Sequence, residues 1–127
     1  MAWVWIGLGG AAGTLLRYGL SLLLADRTLE TGWPLGTLAA NVLGSLALGA
    51  MMELADGATL FGTDLRLVLG VGVLGGFTTY SSFNLETIRL AQEGHAARAA
   101  AYVAVTVVVC VLSGLAGLAA ARMLRPS

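Results

Sequence analysis

The residues best equipped to do chemistry lie in one run, Gly75-Gly76-Phe77-Thr78-Thr79-Tyr80-Ser81-Ser82-Phe83-Asn84-Leu85-Glu86. Two further rows share its polar character. Thr37, Asn41 and Ser45 are spaced by four, and so are Tyr102, Thr106 and Cys110, with Ser113 nearby. Residues four apart fall on one face of a helix, so each row is a polar stripe in an otherwise apolar segment. Hydroxyl, amide and phenol groups offer donors without fixed charge. A line of such donors can replace part of an anion's hydration shell while binding weakly enough to release it. Simpler readings stand beside this one. Asn41 can be an amide bonding across to a neighbouring helix, worth about 0.6–2 kcal/mol, and the hydroxyls can bond back to the carbonyl one turn earlier. Two matching stripes plus the Thr-Thr-Tyr-Ser-Ser cluster favour a lined pathway as the joint reading.

The adjacent Gly75 and Gly76, followed by Thr78 and Thr79, suggest a break in a helix. Irregular backbone at membrane depth survives only where protein or a polar cavity satisfies it. Freed carbonyls can then hold a cation, while freed amides and the next half-helix N-terminus attract an anion. A continuous helix packed closely at its glycines is the open alternative. Tyr80 and Phe83, three apart, can share a face beyond the break. Their positive ring edges can favour a small anion, or the rings can simply pack. Glu86 either faces an aqueous vestibule or marks the approach to the interface near Arg89. Arg17 lies about eight residues, roughly 12 Å by helix rise, from the end of its helix. Its stem can snorkel to the headgroups, or it can face inward as an anion attractor or carboxylate partner.

These groups need scaffolding, and the composition says what kind. The chain has 127 residues, of which 57% are hydrophobic and only 11% charged, with a mean hydropathy of +0.85. A soluble domain carries about 25% charged residues, so water-facing surface is in short supply here. Each helical crossing takes about 20 mostly apolar residues. Four crossings and short loops therefore use nearly the whole length, and residues 1–127 are expected to form one all-α, four-helix transmembrane domain. The expected helices run roughly Ala2–Ala25, Pro34–Ala55, Asp64–Gln92 and His95–Arg122. Asp26–Trp33 is expected to be a charged loop, with Pro34 in the first turn of the second helix. Asp56–Thr63 is expected to be a second loop, with Asp64 as an N-cap. Glu93-Gly94-His95 makes a short turn that sets the last two helices antiparallel. The N-terminus lacks a basic leader and is not expected to be a cleaved signal. One cysteine precludes an intrachain disulfide.

Small residues recur four apart at Gly9/Gly13, Ala40/Gly44, Ser45/Gly49, Gly72/Gly76 and Ser113/Gly117. They let helix backbones approach closely in lipid, which speaks for a tight bundle rather than for a function. The arginines say more. Arg66, Arg122 and Arg125 fall on one side of a four-span chain, and Arg27, Arg89 and Arg98 on the other, with Arg17 near the latter. Orientation follows an excess of Lys and Arg on the cytoplasmic side, and here that excess is close to nil. The chain is expected either to insert both ways up and pair head to tail, or to take one orientation under a weak bias or a partner's influence.

The same residues resemble the Fluc/CrcB fluoride channel family along essentially the whole chain. The resemblance rests on Gly9-Gly10 to Gly13 with Arg17-Tyr18, on Gly36-Thr37-Leu38 with Asn41 and Gly44, and on Tyr102. Above all it rests on Gly75 to Phe83 with Glu86, the most specific match. It implies a dual-topology antiparallel homodimer in the cell's inner or plasma membrane, with a broken third helix and two fluoride pores. Such a protein passively lowers cytoplasmic fluoride. It further implies a structural sodium ion on the dimer axis, held by the backbone carbonyls of Gly75 and Thr78 from each subunit. The fluoride pathway would comprise Thr37, Asn41, Thr79, Tyr80, Ser82, Phe83, Glu86, Tyr102, Thr106, Cys110 and Ser113, with Arg17 near the vestibule. Two residues depart from the family's usual pattern. Tyr80 stands where phenylalanine is usual, and Cys110 where a hydroxyl is more common, a thiol being the weaker donor.

Other classes fit less well. A four-span multidrug antiporter needs a membrane-embedded carboxylate in its first helix, and that helix has Arg17 and no acid. An enzyme is disfavoured by a single histidine, His95 at a turn, by the lack of lysine, and by the lack of a His/Cys cluster or a serine with a base partner. Zero net charge gives no basic surface for nucleic acid. A purely structural membrane subunit leaves the Thr-Thr-Tyr-Ser-Ser cluster without a reason.

Overall fold

The computed structural model describes residues 1–125. Helix α1 (Ala2–Leu23) is followed by a short α2 (Ala25–Thr31) and by α3 (Leu35–Leu54). A small hairpin of β1 (Thr59–Leu60) and β2 (Thr63–Asp64) precedes a π-helical segment, Leu67–Leu74, which runs into α4 (Gly75–Phe77). The chain then passes through Thr78 and Thr79 into α5 (Tyr80–Gln92) and ends in α6 (Ala96–Leu124). Apart from the hairpin the architecture is helical, and α1, α3 and α6 are long and apolar enough to cross a membrane.

The outer surface is built for hydrocarbon. Val107, Val108, Val111, Leu112 and Leu115 of α6 are all more than half exposed, as are Leu15 and Leu16 of α1. In water such a face would forgo about 25 cal/mol for each Å² of apolar surface left uncovered. The interior, by contrast, is held by small residues. A Cβ on Gly117 would strike the Leu46 carbonyl of α3, and one on Gly49 the Gly114 carbonyl of α6. Gly13 sits likewise against the Val73 carbonyl and Gly76 against the Gly10 carbonyl. Backbone thus lies on backbone along two seams, α3 with α6 and α1 with the π segment and α4.

Three connections have clear causes. The α5–α6 turn carries two bonds, from the Gly94 amide to the Ala91 carbonyl (3.2 Å) and from the His95 amide to the Leu90 carbonyl (2.8 Å). With Gly94 at φ 86°, this is a Schellman C-cap, which needs a left-handed residue at that position. The expected loop Asp26–Trp33 is instead mostly the helix α2. Asp26 favours its positive N-terminal end, and Gly32 closes it in the left-handed region. The hairpin, read from sequence as plain loop, turns at Phe61 (φ 48°) and Gly62 (φ 75°), the paired positive φ values that a tight two-residue connection needs. Phe61 stacks on Trp5 of α1 with ring centroids 4.7 Å apart.

At one edge of the bundle an ion network joins the ends of α3 and α6. Arg122 and Arg125 reach Glu53 at 2.8 and 3.1 Å, and Arg125 reaches Asp56 at 3.7 Å. Arg66 pairs with Asp56 and Asp64.

Candidate functional site

The site is organised around the two extended residues between α4 and α5. Thr78 (φ −83°, ψ 156°) and Thr79 (φ −153°, ψ 119°) leave the helical region, so several backbone groups need other partners. Asn41 of α3 supplies two of them. Its Oδ1 accepts the Thr79 amide at 2.8 Å and its Nδ2 donates to the Thr79 carbonyl at 3.1 Å. A primary amide, with one acceptor and one donor side by side, can meet the N–H and C=O of one residue in this way. Thr79 also caps α5, its Oγ1 accepting the Ser82 amide at 3.1 Å. The same hydroxyl lies 3.2 Å from the Ser82 and Ser81 hydroxyls.

The break leaves the carbonyls of Gly75, Gly76, Phe77 and Thr78 without their helical amides. In an unbroken helix the Thr79 amide would serve the Gly75 carbonyl and the Ser82 amide the Thr78 carbonyl. Both amides are engaged by side chains instead. The Gly75 and Thr78 carbonyls are thus free of their helical donors, and backbone carbonyls of this kind are hard donors that could hold a cation. Among the described residues no group of three His, Cys, Asp or Glu side chains gathers.

The carbonyl of Gly76, between them, is differently placed. Arg17 Nε donates to it at 3.2 Å, and the Thr14 hydroxyl approaches at 3.5 Å. Of the two readings open for Arg17, the half-buried side chain thus takes the inward one, but its partner is a peptide carbonyl rather than a carboxylate.

A second centre is the Glu86 carboxylate on α5. Thr37 of α3 donates to Oε1 at 2.7 Å and Tyr102 of α6 to Oε2 at 2.9 Å. Tyr102 is fully buried. Its ring packs on Phe83 (centroids 5.3 Å, 54°) and meets Trp33 edge-on (6.2 Å, 80°). Phe83 is buried and in turn packs against Tyr80 (5.7 Å, 57°), which is 78% exposed.

Two grooves flank this aromatic and carboxylate cluster. One, of about 460 Å³, is lined by Asn41, Ser45, Gly75, Thr78, Thr79, Tyr80, Phe83, Thr106 and Cys110 together with apolar residues. The other, of about 480 Å³, is lined by Thr37, Glu86, Arg89 and the α2 region. Tyr102 touches both walls through Phe83 and Glu86. Thr106 lines the first groove, and its buried hydroxyl has no hydrogen-bond partner among the described residues. A buried polar group costs about 1–3 kcal/mol when left unpaired, so such a group calls for a ligand or water.

Most of the candidate residues thus converge on these two grooves. Ser113 does not. Its hydroxyl donates to the Val42 carbonyl at 2.9 Å and so ties α6 to α3. It stands three rather than four residues beyond Cys110, which turns it off the stripe and toward the neighbouring backbone. Ser82 is occupied within the Thr79 cap. Sequence reasoning overlooked the Gly76 carbonyl, Thr14 and Trp33. For Trp33 the signal was an aromatic beside Pro34 at a helix start.

The residues 4–118 match a family model described as CrcB-like protein, Camphor Resistance (CrcB). A protein of Sorangium cellulosum named fluoride-specific ion channel FluC is 55% identical over 122 residues, covering 96% of this chain and 95% of the relative. Proteins with the same name from Anaeromyxobacter sp. (45% identical, covering 92% of each chain) and from Geobacter sulfurreducens (42% identical, covering 94% and 95%) extend the likeness. With three helices long and apolar enough to cross a membrane and a match of this length, the chain is a membrane protein with multiple spans and belongs to the CrcB-like family.

Proposed function

We propose that this protein is a fluoride-selective channel that lets fluoride leave the cell passively, and that it works as an antiparallel homodimer with two pores. The observation that carries the reading is the groove where Asn41, Thr79, Tyr80, Thr106 and Cys110 come together from three helices. These groups offer donors without a fixed positive charge. Asn41 Nδ2 has two hydrogens, of which the Thr79 carbonyl takes one, so the other is free for an anion. The unpartnered Thr106 hydroxyl is a second free donor, and the Cys110 thiol a weaker third. Phe83 and Tyr80 border the same groove and can present positive ring edges. The names of the relatives support fluoride as the ion and a channel rather than an enzyme.

The second groove sets a condition on passage. The hydroxyl protons of Thr37 and Tyr102 are committed to Glu86. An anion can use them only when that carboxylate turns aside, so Glu86 acts as the group that gives the two donors up.

In this reading the π segment, α4 and α5 form the fourth crossing, interrupted at Thr78 and Thr79, and residues 1–127 form one transmembrane domain. The nearly balanced arginines support insertion both ways up in the cell's inner or plasma membrane. α5 presents Ser81 and Asn84 on its exposed side. Polar groups are costly against lipid tails, which favours covering this face with a second copy of the chain. Gly75 and Thr78 would hold a sodium ion between the two copies through their carbonyls. When bound, that ion supplies a positive charge that offsets the carbonyl dipoles of both breaks. The test is fluoride efflux from liposomes, followed with a fluoride electrode and with chloride efflux in parallel. Fast fluoride loss that needs an ionophore to dissipate voltage, with little chloride loss, supports the reading. A folded dimer with no fluoride flux overturns it.

A further inference from the structure

The bond from Arg17 to the break has a consequence for the cation site. The break frees four successive carbonyls, those of Gly75, Gly76, Phe77 and Thr78, from their helical donors. Of these, Gly76 alone is claimed by α1, through Arg17 Nε (3.2 Å) and the Thr14 hydroxyl (3.5 Å). The adjoining backbone is closely packed. Gly76 lies directly against Gly10, and Gly13 against Val73, so α1 packs tightly on the π segment and α4. On the far side Asn41 fixes the Thr79 peptide. The Gly76–Phe77 peptide is thus oriented by α1, and the two peptides flanking Thr79, the first of which carries the Thr78 carbonyl, by α3.

We propose that Arg17 is a positioning residue for the cation site. By holding the Gly76 carbonyl, it fixes the backbone between the Gly75 and Thr78 carbonyls that would hold a sodium ion. This rests on the sodium reading above and assigns Arg17 a role other than attracting anions. The two roles make opposite demands on cation binding. A guanidinium near a cation site repels the ion, so its removal on electrostatic grounds alone strengthens binding. Loss of a positioning bond weakens it. The sign of the effect therefore separates them.

The experiment uses the purified full-length dimer in detergent. Its thermal unfolding midpoint is followed as sodium chloride replaces N-methylglucamine chloride at constant ionic strength. For the unaltered protein the midpoint rises with sodium, because a ligand bound only by the folded state stabilises it. In Arg17→Ala the half-saturating sodium concentration increases by about tenfold or more, as loss of a charge-assisted bond implies. Arg17→Lys, which keeps a donor and the charge, lies between the two. An unchanged or lowered half-saturating concentration in Arg17→Ala overturns the proposal. Should Arg17→Ala fail to fold, Arg17→Lys decides by the same criterion. If the unaltered dimer shows no sodium response, the sodium reading fails and takes this proposal with it, while fluoride efflux still judges the channel reading separately.

Discussion

The carboxamide of Asn41 bonds both backbone groups of Thr79, accepting its amide at 2.8 Å and donating to its carbonyl at 3.1 Å. One side chain on α3 thereby does for the extended residues what a neighbouring strand does in a sheet. It also explains why an asparagine is placed within an apolar span, where an unbonded amide would be costly.

Replacing Asn41 with leucine keeps the size and removes both bonds. The prediction is a loss of about 2 kcal/mol of stability, from two bonds worth about 1 kcal/mol each. Fluoride flux falls to background, because the free Nδ2 hydrogen goes too. Asn41→Asp keeps an acceptor for the Thr79 amide but sets a second oxygen against the Thr79 carbonyl and adds a charge within an apolar span. It is predicted to be no more stable than Asn41→Leu and to show equally little flux. Unfolding midpoints and liposome efflux on the same preparations check both. Normal flux in Asn41→Leu would contradict the proposed pathway.

How much of this was readable from residues alone varies with the range of the cause. Local causes were legible: Gly94 announced the α5–α6 turn, and the Gly-Gly-Phe-Thr-Thr run marked where the backbone becomes extended. The stripe Thr37-Asn41-Ser45 followed from spacing. What spacing does not give is the partner. Arg17 had two open readings because its acceptor, the Gly76 carbonyl, lies 59 residues away and exists as an acceptor only where the helix is interrupted. Ser113 looked like a continuation of the α6 stripe, yet its bond to Val42 spans 71 residues. The helix α2 was read as loop because charges dominate it, although Gly32 at its end carried the left-handed cap signal.

The α3–α6 seam gives a clean contrast between two glycines. A side chain at Gly117 meets the Leu46 backbone, which cannot yield without parting the helices. Gly117→Val is predicted to destabilise by about 3 kcal/mol or more, in the range of severe overpacking, and to abolish recovery of the dimer. Gly7, on α1, has nothing within 4 Å of where a Cβ would be. Gly7→Ala is predicted to be neutral or stabilising by about 0.5–1 kcal/mol, since alanine favours a helix. Size-exclusion profiles and unfolding midpoints compare the two. Equal behaviour would mean that the seam is not packed as described.

Removing the phenol of Tyr102 isolates its bond to Glu86. Tyr102→Phe keeps the ring between Phe83 and Trp33 and removes one of the two donors to the carboxylate. A bond to a charged acceptor is worth about 1.5–3 kcal/mol, so a drop of about tenfold or more in fluoride flux is predicted, with the dimer intact. Thr37→Val removes the other donor and is predicted to act in the same direction. The double variant is predicted to fall short of the sum of the two effects, since both act through one carboxylate. Additive losses in efflux rate would show that Glu86 does not link them.

Cys110 offers a change that should improve the protein. Its thiol lines the groove near the unpartnered Thr106 hydroxyl, where a better donor would serve an anion more strongly. Cys110→Ser is predicted to raise fluoride flux about two- to fivefold, the equivalent of about 0.5–1 kcal/mol for a stronger hydrogen bond. Stability is predicted to stay within about 0.5 kcal/mol, because the substitution is close in size and Ser45 lines the same groove as a hydroxyl partner. Cys110→Val removes the donor altogether and is predicted to lower flux below that of the thiol. The order serine, cysteine, valine in initial efflux rate, measured at matched protein-to-lipid ratios, is what a donor role requires. Equal rates in all three would assign position 110 to packing and leave Asn41 and Thr106 as the donors of this groove.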